Sequence, residues 1–482
     1  MPPALGFLFA PLVIGGVSTG VTLAGVLGTA ALSGLSYALN AKAAARGGLE
    51  DQGIKAVSRS AAPIGRLIVG EALVGGDLFF IRAQNPYLYY GIVLAAHEIE
   101  GVREVRIGNK NVEIGSGGWA TAKPWHNGTK SFLKVSIRKG TDTQTIDPIL
   151  AADFPDLPST FRQRGCATIV LKMDYGANAT ERESVWGNQQ PQPLFLVRGA
   201  KVYDPRDPAQ DSATRSTWKW SQNASLIQAW WMTHEFGGQR SWDQIDKSAL
   251  AESAANDDRD IPLKDGGTVP RWSANGVALL NEEPFDILQK LLTANMGQMI
   301  WRNGTYIISS GMERFAVHTV NDNAIRGDIF VRYDRPRRDL VNRVETVFTA
   351  PDREYQTANG PILEDLALQA ADGQQHAATL QLPFTAHHAI AQRLAKAALN
   401  TSRRGRIVKT ALDFRALRYS AGDILNLETK VVSGASGTYR LVSRKLLENF
   451  EWDCELEEWD NDILSWTPAT DEQEFKLDLE AA

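Results

Sequence analysis

The sequence predicts a β-rich, multidomain α+β fold behind an apolar N-terminal segment, and three observations carry that prediction. The chain has 482 residues, 43% of them hydrophobic and 22% charged, which is enough to bury several cores and more than one domain ordinarily needs. Short runs rich in Val, Ile, Tyr and Phe recur between Gly, Asn and Asp clusters, the pattern of strands and hairpins. Four longer segments with apolar residues at helical spacing interrupt those runs, so smaller α+β units sit among linked β-barrel or β-sandwich domains.

Each element follows from its own residues. Residues 1–45 are apolar and rich in Gly and Ala, and no charged side chain occurs before Lys42. That run exceeds the roughly 20 residues that cross a bilayer. It lacks the basic start of a secretory signal. Phe7, Phe9, Leu12, Ile14, Gly16 and Gly20 mark it, and Gly16 with Gly20, then Ala24 with Gly28, stand four apart, a spacing that lets helices approach on small faces. A polar, Gly-containing linker reaches residue 65.

A first β domain, 46–118, takes strands from 64–74 and 79–83 with a hairpin at Gly75-Gly76-Asp77, then 88–95 and 98–107, closed by Gly108-Asn109. Residues 119–193 read as an insertion, with loop sequence, a short helix over 147–153, and strands over 132–138 and 165–173. A strand over 194–203 and a helix over 223–234, with Ser221 as its N-cap and Gly237-Gly238 as its stop, fill 194–240. The α+β unit 241–316 carries helices over 246–257 and 284–296 and a hairpin on Asn303-Gly304. Residues 317–466 form a closing β-rich domain with one long helix over 385–403, N-capped by Thr385. Residues 467–482 are an acidic tail or a contact arm.

Charge and motif content exclude several functions. The net charge of -5 and a pI near 5.9 supply no basic field for specific nucleic-acid binding. Cys166 and Cys454 are too far apart for a zinc ribbon, and two cysteines make no disulfide framework. No zinc-protease, nucleophile-elbow, phosphate-loop or dinucleotide-binding pattern occurs, so no catalytic, metal or cofactor residue is assigned and no enzyme is expected. Gly128-Thr-Lys-Ser131 reads as a turn. His387 and His388, neighbours on a helix, point about 100° apart and suit solvation or capping. Glu98 and Glu100 share a strand face with Arg103 and Arg106 nearby, an exposed charged ladder. The basic runs Arg335-Pro-Arg337-Arg338 and Arg403-Arg404-Gly-Arg406 read as solvated turns. Trp218, Trp220, Trp230 and Trp231 are assigned to core or to oligomer and partner contacts, with a stacked sugar or base as the alternative.

One stretch points further. Phe195-Leu-Val-Arg-Gly-Ala-Lys-Val-Tyr-Asp-Pro-Arg206, followed by Trp220, Ser221 and Asn223, resembles the hub of the phage tail-tip (lambda-type central tail attachment) family, in which a Val-x-Gly-x-Lys-Val-Tyr-Asp-Pro-Arg strand precedes a Trp-Ser-x-Asn-Pro-Ala helix start. Here Ala224-Ser225-Leu226 replaces the Pro of the second motif. Further pieces keep the family's order: 66–77, 98–109, Asn303 to Gly311, Asn342-Arg-Val, Ala391 to Ala395, and Ala421-Gly-Asp-Ile-Leu425. The resemblance spans Arg66 to Trp459. It implies a structural virion protein, a homotrimeric hub of the tail tip or baseplate. Such a hub closes the distal end of the tube and opens for genome ejection. The implied partners are a distal tail protein, other tail-tip proteins, a tape measure protein and fibre proteins, with assembly from the host cytoplasm. For the N-terminal segment three readings stand: a plug or liner of the tail lumen released into the host membrane, a transmembrane anchor, or a helix packed on neighbouring subunits. A membrane-anchored assembly or penetration protein is the alternative for the whole chain, and a tail-associated glycan hydrolase the remaining one.

Overall fold

Alternating apolar side chains build two antiparallel sheets that share one core in the first part of the chain. The computed structural model describes residues 11–14, 17–22, 31–33, 55–60, 62–176, 178–187, 191–302, 304–333 and 340–475. One sheet runs in the order Leu133–Arg138, Ala167–Asp174, Tyr87–Ala95, Asp77–Gln84. In the other, Pro193–Val202 pairs with Lys219–Trp220, Ile99–Ile107 and Glu71–Val74. Tyr90, Ile92, Val105, Phe132, Ile169, Leu171 and Phe195 fill the space between them.

Two expectations change here. Gly75-Gly76 makes no hairpin: Glu71–Val74 pairs with Pro193–Val202 and Asp77–Gln84 pairs with Tyr87–Ala95, so the chain switches sheets at the glycines. Gly76 sits at φ +91, where a Cβ would lie 2.4 Å from the Ile92 side chain and 2.6 Å from the Val93 carbonyl, so this crossing needs glycine. The stretch 119–193, expected as an insertion, supplies two strands of the first sheet, because Leu133–Arg138 and Ala167–Asp174 stack onto Tyr87–Ala95 and bury their apolar faces in the same core.

A helical unit follows. The helices Ala224–Thr233, Lys247–Asp257 and Pro284–Thr293 pack with the hairpin Gln298–Arg302/Thr305–Ser309 around Leu226, Ile227, Trp231, Leu250, Leu288, Leu291 and Ile308. Asn223, and not Ser221, caps the first helix. Its side chain accepts from Leu226 N at 3.1 Å while Ser221 Oγ accepts from Asn223 N at 3.0 Å, because the cap oxygen must reach the third helical N–H. Gly304 closes the hairpin at φ +87; Asn303 lies outside the described residues.

In the next unit Arg343–Ala350 pairs parallel with Ala377–Leu382 and antiparallel with Gln356–Asn359 and Leu363–Glu364. The helix His388–Arg403 covers this sheet through Ile390, Leu394 and Ala398. Its cap lies two residues later than expected: His387 is the cap, accepting from Ala389 N at 3.2 Å. Thr385 is instead fully buried in a turn that ties Leu382 to Thr349.

The last sheet runs His318–Asn321, Ile424–Glu428, Gly437–Leu446, Trp452–Glu458, Ile407–Leu412, Phe330–Arg332. Both edge strands belong to the single stretch 318–332, and Arg326 N also donates to Ala411 O, so the sheet closes on itself as a small barrel around Val408, Leu425, Tyr439, Leu441 and Leu456.

Neither end behaves as a free arm over its described residues. Beyond the short helix Pro468–Asp471, Gln473 exchanges hydrogen bonds with Gln392 and Phe475 stacks on His388, because the apolar Phe475 finds cover on the long helix. Near the N-terminus, Pro11–Ile14 and Val17–Thr22 form an antiparallel hairpin, and Ala31–Ser33 pairs with Gln298–Ile300. The helical reading of the segment is therefore corrected at Leu12, Ile14 and Gly20, where β-branched Val13, Ile14, Val17, Val21 and Thr22 favour strand. Phe7, Phe9 and Gly16 lie outside the described residues. Among the described residues no helix is long and apolar enough to cross a membrane.

Candidate functional site

The four tryptophans do not form one outward patch. Trp218, Trp230 and Trp231 are only 7, 5 and 1% exposed. Trp218 Nε1 donates to the Asp211 carbonyl at 2.8 Å and Trp231 Nε1 to the Pro284 carbonyl at 3.1 Å, while Trp230 packs edge-on against His97 and leans on His234. Trp220 is half-buried, donates to the Gly70 carbonyl at 2.9 Å and lies under the Arg198 guanidinium. The assignment of Trp218, Trp230 and Trp231 to partner contacts is thus corrected: their large apolar area is already buried at the junction of helix and sheet.

The polar candidates are structural in the same way. Glu98 pairs with Lys201, Arg103 with Glu71 and Arg106 with Glu104. Arg403, Arg404 and Arg406 engage Asp372, Asp460 and Glu458, whereas 334–339, with the other basic run, lies outside the described residues. His387 and His388 stack 4.7 Å apart, and burial lowers both, His387 to about 4. Cys454 is buried, Cys166 half-buried, and both are free thiols.

Sequence reasoning missed a buried knot of polar groups. Asp257 Oδ2 accepts from Ser225 N at 2.8 Å, Ser225 Oγ at 2.6 Å and Asn295 Nδ2 at 3.2 Å. Gln228 Nε2 extends it to Asn295 Oδ1 at 2.8 Å. Burial pushes the Asp257 carboxyl up to about 7. Ser225 is fully enclosed, so its hydroxyl reaches no substrate; the knot ties the three helices together.

Exposed apolar side chains concentrate on the barrel. Among the described residues, 16 large apolar side chains are exposed, and nine of them fall between 315 and 333 or between 407 and 458. Leu412, Trp452 and Leu446 lie side by side in register at one end. From that end extend Phe414, Leu417 and Phe450, exposed by 74, 67 and 78%. Phe450 sits at a turn with φ +62, unusual for a bulky residue. The legible signal was an aromatic in Asn449-Phe450-Glu451, where turn chemistry favours polar residues.

The family described as "Putative phage tail protein" matches residues 283–444, from the helix Pro284–Thr293 into the barrel. No curated protein matches the chain. A chain from the structure "Virion of native gene transfer agent (GTA) particle" shares the fold at a TM-score of 0.62, with 16% identity over 88% of this chain and 90% of that one. The 43 kDa tail protein of prophage MuSo2 from Shewanella oneidensis aligns at a TM-score of 0.29, with 10% identity over 76% of this chain and 99% of that one. The prophage tail protein gp18 of Listeria monocytogenes aligns at 0.25, with 10% identity over 39% of this chain and 55% of that one. These last two scores are too low to bear on the fold. Residues 283–444 are thus similar to phage tail proteins, and the β-rich fold is shared with a virion chain along most of the length.

Proposed function

We propose that the chain is a structural protein of a phage-type virion, placed at the distal tip of the tail as the hub that closes the tube and links it to fibres or receptor-binding proteins. The observation that carries this reading is the agreement of 283–444 with phage tail proteins in a chain whose fold matches a virion chain along nine-tenths of that chain's length. The exposed apolar end of the barrel supports it, since contiguous apolar surface marks protein contacts. On this reading copies of the chain associate as a homotrimer around the tail axis, and distal tail, tape measure and fibre proteins are the partners. The work is mechanical, holding a pore shut until adsorption and then opening it for genome delivery. The segment marked by Phe7, Phe9, Leu12, Ile14, Gly16 and Gly20 faces the lumen before ejection and the host membrane after it.

Antibody labelling of the chain in negatively stained particles tests the proposal. Label at the far tip of the tail is expected. Particles without label, or label on the head, would overturn it.

A further inference from the structure

A cavity of about 160 Å³ lies between the helical unit and the long helix His388–Arg403. It has room for on the order of ten waters. The exposed Arg259 and Glu313 stand among its lining residues, with Arg271, Arg393, Trp272 and Trp466 deeper in. Arg271 and Arg393 are only 7 and 5% exposed, and both guanidiniums lie within 6 Å of the Trp272 ring centroid, at 5.9 and 5.8 Å.

The donors around this space are under-used. Arg393 Nη2 donates to the carbonyls of Pro270 and Arg271 at 2.9 and 3.0 Å, but its Nε and Nη1 are buried without a hydrogen-bond partner. Arg271 Nη1 reaches Asn256 Oδ1 at 3.3 Å. The Trp466 indole Nε1 is likewise buried without a partner. Burial, and then the charge of Arg271, hold the Arg393 guanidinium down to about 10; burial, and then Arg259, push Arg271 the same way. Glu472 offsets the first, and Glu313 and then Asp257 the second, only in part, and Glu472 itself accepts from the Lys264 backbone N–H. Like charges drawn together out of water, with N–H groups left unpaired, are costly unless an anion completes the set.

We propose that this cavity binds a phosphoryl dianion, held by Arg259, Arg271 and Arg393 with the Trp466 N–H as a further donor. Three guanidiniums against the single Glu313 carboxylate leave two positive charges in the lining. A dianionic phosphate neutralises them, whereas a carboxylate leaves one uncompensated. The guanidinium fork also suits the oxygens of a phosphate. The source is either the free ion or a phosphomonoester, since the opening beside Arg259 and Glu313 leaves room for a small ester group.

Isothermal titration of the full chain with inorganic phosphate, glycerol 2-phosphate and acetate at constant ionic strength tests this. Saturable phosphate binding is expected, with acetate at least about tenfold weaker, the ratio that one lost charge-assisted hydrogen bond gives. Arg259→Gln and Glu313→Gln both alter exposed side chains and leave the fold intact. The first weakens phosphate about tenfold and the second tightens it. Glycerol 2-phosphate binding tighter than inorganic phosphate assigns the site to an ester; equal or weaker ester binding assigns it to the free ion. Absence of saturable heat up to about 10 mM phosphate, affinity unchanged in both variants, or acetate binding as well as phosphate would each overturn the proposal.

Discussion

Replacing Asp257 with Asn should remove a pH dependence that the helical unit owes to one carboxyl. Asp257 is wholly buried, its Oδ2 holds Ser225 and Asn295, and burial lifts it to about 7 against those hydrogen bonds, which act the other way. In the unfolded chain an Asp titrates near ~3.9. Between those values the folded protein keeps a proton that the unfolded chain has released. Its contribution is therefore complete below about pH 4 and is lost as the pH rises through about 7. Three pH units at about 1.36 kcal/mol each make this about 4 kcal/mol in all. His97 and His234 run in the opposite sense: burial lowers them to about 4 and about 3, so their contribution is present above ~6.5 and is lost as the pH falls. Because the windows overlap, the informative quantity is the difference between the wild type and Asp257→Asn, which keeps the shape and an accepting oxygen but cannot titrate. Urea unfolding followed by tryptophan fluorescence reports on this core through Trp218, Trp230 and Trp231. The wild type's advantage over the variant should shrink by about 3 kcal/mol from about pH 5 to about pH 8. A difference that stays flat across that range refutes the reasoning.

Trp231→Ala should cost about 3–5 kcal/mol in the same assay, because it empties a fully buried site and leaves the Pro284 carbonyl without its donor; an unchanged urea midpoint would contradict the packing described. Asn223→Ala should cost at least about 1 kcal/mol as a lost helix cap, since Nδ2 also bonds Ala254 O and Asp258, while Ser221→Ala costs less; the reverse order in urea melts would restore Ser221 as the cap. The double variant Phe414→Ser, Phe450→Ser should leave stability within about 0.5 kcal/mol and lower incorporation into particles, measured by immunoblot of purified virions. Undiminished incorporation would show that this apolar end makes no essential contact.

Where an element's own residues carry the instruction, the sequence was a sufficient guide. The repeat of Phe285, Leu288, Leu291 and Leu292 behind Pro284 marks its helix, and the alternation from Leu133 to Arg138 marks its strand. Helix starts were harder, because Ser221, Asn223, Thr385 and His387 all carry cap-competent atoms and only the surrounding backbone selects between them. The barrel's exposed Phe414 was equally hard to see, since an aromatic beside a strand reads as core until its neighbours are placed.

By itself, then, the sequence determined the β-rich class, most of the strands and helices, and the resemblance to phage tail proteins, because those reside in local periodicity and short motifs. The tertiary structure alone decided that 119–193 completes the first sheet, that three tryptophans face inward, and that Arg259, Arg271 and Arg393 meet around one cavity. Those outcomes depend on contacts between residues far apart in the chain, and no window of neighbouring residues encodes which distant surface an apolar ring or a guanidinium will meet.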